Sequence, residues 1–206
     1  MKLAIFDYDG TLFPMDTLPF LMAEWRREGR SLRRLLAAYA SVGSLLVGYK
    51  LGIACGRSRE MLHRMALQRV TRLFAGMSET EVSAFLKRNA ERMAPLLRPS
   101  VLAELRLAQE QGYHTVLLSG TYETLMQHVG AIIGIDTAIG TALRYKNGIV
   151  DVERELDVVC GNDKVERLIA AFAGHSVDWA ESIAYADSYS DLPVLRRVGH
   201  PVAVCP

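Results

Sequence analysis

Lys2-Leu3-Ala4-Ile5-Phe6-Asp7-Tyr8-Asp9-Gly10-Thr11 is the stretch that decides the fold. Residues 2–7 read as a short buried strand, its apolar run Leu3-Ala4-Ile5-Phe6 uninterrupted. Two carboxylates one residue apart follow it, and Gly10 lets the chain turn. Like charges held close perturb each other's pKa, and a cation relieves the repulsion. An acidic pair at a strand's end is therefore a candidate divalent-metal and nucleophile site. The plainer reading of Asp9-Gly10 is a hairpin turn. Against it, the next run, Leu12-Phe13-Pro14, carries a proline and makes a poor partner strand.

Beyond Pro14 the pattern becomes helical up to about Ala94. Leu18, Leu21, Met22 and Trp25 recur at helical spacing, as do Met61, Leu62, Met65 and Ala66. Ser78 and Glu81 form a capping-box signal that predicts a helix over Glu79 to Met93, and Pro95 and Pro99 close the block. The alternation then changes. Helices are predicted over Val101 to Gln111, Glu123 to Ile133, Val165 to Phe172 and Leu192 to Val198. Strands are predicted over Thr115 to Leu118 and Ser182 to Ala186, with a last apolar piece at Val202 to Val204. Ala138 to Tyr145, Asn147-Gly148 and Ile149 to Val152 read as a hairpin with a tight turn. Strand and helix in alternation imply an α/β protein, Rossmann-like and doubly wound around a mostly parallel sheet. The expected organisation is a core of residues 1–14 and 95–206 with an all-helical cap, residues 15–94, inserted after the first strand.

Half of the 206 residues are hydrophobic, enough for a well-packed core. With 24 Lys and Arg against 23 Asp and Glu, the net charge of +1 argues against a nucleic-acid partner. Cys55, Cys160 and Cys205 are far apart, odd in number and without zinc-site spacing, which suits a reduced, cytoplasmic setting. No signal peptide is visible. Leu35 to Ala54 is mostly apolar, with Lys50 its only charge, and approaches the length of a membrane span. Its glycines, serines and tyrosines favour a buried helical hairpin, with peripheral membrane contact as the alternative. Arg26, Arg27, Arg30, Arg33 and Arg34 precede it, as a solvated helix face or as partners for anionic lipid.

In open parallel sheets, ligands bind outside the carboxyl ends of the strands. The polar residues at those ends are Asp7 and Asp9, then Ser119, Gly120 and Thr121, then Asp187, Ser188 and Asp191, while Lys164 opens a helix after Gly161-Asn162-Asp163. Taken singly these are unremarkable: Ser119-Gly120-Thr121 reads as a helix N-cap and Lys164 as a solvated lysine. Together they match a known pattern. The chain resembles the haloacid dehalogenase superfamily of phosphotransferases, and the helical insertion after the first motif resembles its phosphoserine-phosphatase-like subfamily. DxDGT is Asp7 to Thr11, the second motif is Leu118-Ser119-Gly120, the third is Lys164, and DSxxD is Asp187 to Asp191. The four occur in order and span nearly the whole chain.

The resemblance implies a phosphatase with Asp7 as the nucleophile and Asp9 as the general acid and then the base. It implies Mg2+ held by the Asp7 carboxylate, the Asp9 backbone carbonyl and Asp187. Ser119 and the Gly120 N–H would bind a phosphoryl oxygen, with Lys164 balancing charge. Asp191 would orient Lys164 or a metal-bound water, with Thr11 also supporting the first motif. The implied substrate is a small phosphorylated metabolite over which the cap closes. Asp16 stands where the phosphoserine enzymes usually have a glutamate facing the substrate's amine. Arg57, Arg59, Arg64 and Arg69 are the candidates for gripping a substrate carboxylate. Ala186 replaces the glycine that usually precedes the last motif, and the chain stops at Cys205-Pro206 where many members continue. A membrane-associated phosphatase acting on a lipid phosphate is the alternative, and a non-catalytic phosphate-binding module the third reading. The five histidines, His63, His114, His128, His175 and His200, show no ligand spacing and read as surface or structural groups.

Overall fold

The computed structural model describes residues 1–50 and 59–204. The chain runs β1 (Leu3–Phe6), α1 (Thr17–Arg27), α2 (Leu32–Lys50), α3 (Arg59–Thr71), α4 (Glu79–Met93), α5 (Pro99–Glu110), β2 (His114–Tyr122), α6 (Glu123–Ile133) and β3 (Thr137–Thr141). It continues with β4 (Tyr145–Lys146), β5 (Ile149–Val150), α7 (Asn162–Ala171), β6 (Ile183–Ala186), α8 (Leu192–Leu195) and β7 (His200–Ala203). Five strands form one parallel sheet in the order β3-β2-β1-β6-β7. The strand order reverses between β1 and β6, so the ligand crevice of such a sheet opens where Asp7 and Asp187 emerge.

The apolar run of β1 is buried on both sides. Leu3 and Ile5 pack with Val116, Leu118, Ala184, Leu168 and Val194. Ala4 and Phe6 face the opposite cluster, where the Phe6 ring stacks on Tyr185 with centroids 4.7 Å apart. That second cluster continues into the helical insertion, α1 to α4, through Trp25, Phe74, Phe85 and Tyr122, whose rings meet edge-on or tilted. The insertion is thus seated on the sheet by aromatic burial. The capping box of α4 forms as expected: Ser78 Oγ accepts from Glu81 N–H, and the Glu81 carboxylate accepts from Ser78 N–H at 2.8 Å. The resulting helix covers Glu79–Met93.

Three expectations are corrected. Residues 138–145 are not one hairpin arm: β3 joins the parallel sheet, and only Tyr145–Val150 forms the hairpin, its turn supplied by Asn147 and Gly148 at φ of 53° and 77°. Ser119 is not an N-cap, because β2 runs on to Tyr122, which itself caps α6. The register between β2 and β3 shifts between Leu118 and Tyr122, and that irregular stretch is Ser119-Gly120-Thr121. Finally, Leu35 to Lys50 is no hairpin but part of one continuous helix that buries Leu35, Ala38 and Leu45 and leaves Leu32, Leu36, Tyr39, Leu46 and Val47 exposed. Residues 51–54 of that stretch lie outside the described residues, as do Cys55, Arg57 and Cys205. No described helix is long and apolar enough to cross a membrane.

Candidate active site

At the end of β1 the Asp7 N–H donates to Tyr185 C=O at 2.9 Å, so the residue is still held by the sheet as its side chain enters the crevice. The chain then folds back tightly, with Phe13 N–H on Tyr8 C=O and Gly10 N–H on Phe13 C=O, both 2.8 Å. Gly10 has φ +79°, and a Cβ there would lie 2.1 Å from Asp187 Oδ2. Glycine is required twice over, for the left-handed turn and for the approach of Asp187.

Asp7 is 8% exposed, and its Oδ1 accepts from Lys164 Nζ at 2.7 Å. Lys164, equally buried, also pairs with Asp191, whose other oxygen accepts from Ser188 Oγ at 2.6 Å and Ser190 Oγ at 3.2 Å. Thr11 Oγ1 lies 3.2 Å from Asp187 Oδ1 and 3.5 Å from Asp7 Oδ2, bridging the two. Burial pushes the Asp7 carboxyl up, Lys164 opposes it, and Asp191 adds to it. Burial also works against the Lys164 charge, but Asp7 and Asp191 outweigh it and hold the ammonium protonated.

Asp7, Asp187 and Asp191 each offer a carboxylate oxygen, all within 4.8 Å of one another. Three carboxylates against one ammonium leave two negative charges uncompensated. Hard oxygen donors with that excess fit a divalent cation. The Asp9 side chain is not part of this group; the ligand expected from Asp9 is its backbone carbonyl.

Asp9 points elsewhere. Its Oδ1 accepts from Thr17 N–H at 2.9 Å and from Thr17 Oγ1, at the first turn of α1. Burial raises its carboxyl to about 7, against the Thr17 hydrogen bonds, with the Asp7 charge a smaller contribution. Both acids at the head of the chain are therefore perturbed first by burial, and the charge of Asp7 acts on Asp9 only as a smaller contribution. Asp7 faces the Lys164 ammonium within an acid-rich group, and Asp9 faces a helix N-terminus in the insertion.

Ser119 is buried, its Oγ accepting from Thr121 N–H at 3.2 Å, and the Gly120 carbonyl accepts from Thr141 Oγ1 at 2.7 Å. Lys164 rides at the start of α7, where Gly161 supplies the N-cap. Asp16, exposed, is the N-cap residue of α1 without a cap hydrogen bond from its side chain, and its charge acts on both Asp9 and His63. Arg64 pairs with Asp163, while Arg69 bonds the Ser41 carbonyl and Ser44 Oγ.

Two residues escaped sequence reasoning. Thr17 is the partner of Asp9, and its place just after Asp16 at a helix start was the available signal. His63, on α3, reaches Gly120, and no spacing pattern marked it.

A sequence model of the haloacid dehalogenase-like hydrolase family matches residues 4–196. The "Probable phosphatase Rv3661" of Mycobacterium tuberculosis is 26% identical over 212 residues, covering 98% of this chain and 68% of its own. A protein of unknown function from Bordetella pertussis superposes with a TM-score of 0.80 at 23% identity, covering all of this chain and 90% of its own. A substrate-bound phosphoserine phosphatase superposes with a TM-score of 0.60 at 19% identity, over 99% of this chain and 86% of that one. The chain belongs to the haloacid dehalogenase-like hydrolase family, and it is a hydrolase of the phosphatase type.

Proposed function

We propose that the protein is a Mg2+-dependent phosphatase that hydrolyses a small phosphate monoester through an aspartyl-phosphate on Asp7. The observation that carries this reading is the different housing of the two first-motif acids: Asp7 buried against Lys164, Asp9 bonded to Thr17. In that arrangement Asp7 is the group positioned to attack phosphorus, splitting one difficult step into two. Ser119 Oγ and the Gly120 N–H donate to a phosphoryl oxygen, and Lys164 balances the charge spread over Asp7 and the transferring group. Asp9, with its pKa raised to about 7 by burial, carries a proton near neutrality for the leaving alkoxide. It then takes a proton from the water that attacks the phosphoenzyme. Mg2+ bound among Asp7, Asp187 and the Asp9 carbonyl would neutralise phosphoryl charge, with Asp191 holding Lys164 in place. The helices of residues 15–94 act as the cap that shuts bulk water out. Halide release would need no such acid, so an ester fits better than a haloacid.

The test is Asp7→Asn assayed on a generic phosphate ester with Mg2+. Turnover falls below detection while the circular dichroism spectrum and melting temperature stay near wild type. Full activity in that variant would overturn the mechanism. A non-catalytic module is disfavoured because no acid, base or cation position is lost. It predicts no ester hydrolysis for EDTA to remove or for added Mg2+ to restore.

The exposed apolar residues of α2 favour a second reading, in which the same chemistry serves a phosphorylated lipid. Flotation with anionic vesicles tests it; absence of enrichment removes it.

A further inference from the structure

Helix α3 turns Glu60, His63, Arg64 and Leu67, at i, i+3, i+4 and i+7, onto the loops that carry the site. Glu60 lies against Gly161, where a Cβ would come 2.6 Å from Oε1. Arg64 pairs with Asp163 in the first turn of α7, and Leu67 is fully buried. These contacts fix α3 over the core and leave His63 little freedom. Its Nε2 sits 2.7 Å from where a Gly120 Cβ would be, against the residue whose N–H is assigned to the phosphoryl group.

That Nε2 is shut off from solvent and has no hydrogen-bond partner. The neighbouring Gly120 carbonyl favours the charged ring without forming a full hydrogen bond to Nε2, and it takes the Thr141 hydroxyl at 2.7 Å. Burial holds the imidazole neutral, helped by Lys164 and Arg64 and opposed by the Gly120 carbonyl and Asp16. A neutral imidazole has one donor and one acceptor nitrogen, and a buried polar atom of this kind ordinarily finds a partner. As α3 stands no solvent reaches that nitrogen, so its partner has to be an atom of a ligand admitted to the crevice as α3 and the core loops adjust.

Resting on the phosphatase reading above, we propose that His63 is a substrate-binding residue whose Nε2–H donates to an oxygen of the phosphate ester seated over Ser119 and Gly120. The cap then adds a third neutral donor to the Ser119 hydroxyl and the Gly120 N–H of the phosphate-binding set. Occupation of the crevice completes the hydrogen bonding of His63 and so draws α3 and the core loops together.

The test is a set of His63 variants in the full chain, assayed with p-nitrophenyl phosphate and Mg2+ and with inorganic phosphate as competitor. His63→Ala is expected to raise both KM and the phosphate inhibition constant about tenfold, the weight of one hydrogen bond. The kcat changes less, and His63→Gln, which restores a donor, recovers most of the loss. Values of KM and inhibition constant within about twofold of wild type, in a variant that melts normally, overturn the proposal. Should His63→Ala not fold, the wild-type imidazole nitrogen spectrum decides. Inorganic phosphate shifts the His63 Nε2 resonance while the other four histidines hold still, whereas an unmoved His63 contradicts the proposal. A wild-type protein without turnover would sink the phosphatase reading separately, and the phosphate titration would still judge His63.

Discussion

Around Asp7, the buried carboxylates of Asp7 and Asp191 share the ammonium of Lys164, with the Asp187 carboxylate close by. Between α1 and α4 a second acid–base cluster looks similar on a contact map: Glu24 and Glu28 meet Arg27, Arg30, Arg88 and Arg92. Arg88 reaches both Glu28 oxygens, at 3.1 and 3.0 Å, in the fork geometry that suits guanidinium and carboxylate. The two clusters differ in charge balance and in solvent. In the second, cations outnumber acids and the arginines are partly exposed, so each charge is compensated or hydrated. In the first, Asp7 and Asp191 are buried against one ammonium with Asp187 close by, an acid excess that favours a cation in the crevice. Unbalanced buried charge therefore marks the chemistry, and ion pairing by itself does not.

Substituting the shared ammonium breaks the contrast most severely. Lys164→Met strands Asp7 and Asp191 together, and losing one side of a buried pair costs roughly 3–5 kcal/mol. The kcat is expected to fall by about 10³ or more, and the melting temperature by several degrees. A divalent ion should recover part of that melting loss and none of the rate. Gly10→Ala comes next: the left-handed turn and the Asp187 contact both oppose a Cβ, and activity should drop about a hundredfold with weaker divalent-ion affinity by calorimetry.

Thr17→Val is gentler. It removes the hydroxyl bond to Asp9 and keeps the backbone one, so kcat should fall about tenfold at unchanged KM. The smallest effect belongs to the second cluster. Burial works against the Glu28 charge, but Arg88 and then Arg30 overcome it and hold the carboxyl below its ordinary 4.5. A carboxylate with a depressed folded pKa stabilises the protein fully above the unfolded value and loses that contribution as pH falls through the folded one. Glu28→Gln should thus cost about 1 kcal/mol near neutrality, about 2–4 °C in melting temperature, with activity intact. The two melting curves should converge below pH 4.5, and a gap that persists in acid would refute the ionic origin.

Much of the core was readable because its signals are local. The apolar run of β1, the Ser78–Glu81 capping box and the Asn147-Gly148 turn each act over a few residues, and each formed where the sequence placed it. The order of strand-end polar residues then pointed to the crevice. What stayed hidden is set by distant partners. Ser119-Gly120-Thr121 reads as a cap because it is polar, yet pairing of Tyr122 with Thr141 keeps it in the sheet. β3 merged with the following hairpin because alternation alone cannot say which neighbour a strand will find. In α2, apolar residues lie on two faces, and composition did not tell which one the insertion would bury. Thr17 and His63 gain meaning only once α1 and α3 are docked on the core.

The account turns on a covalent bond to Asp7, and acid-quench trapping reads it directly. Mixing the protein with a ³²P-labelled phosphate ester and Mg2+, then quenching in acid within the first turnover, should give labelled protein. The label should be released by hydroxylamine, map to the peptide carrying Asp7, and be absent from Asp7→Asn. Release of labelled phosphate in that first turnover with no label on the protein would contradict it.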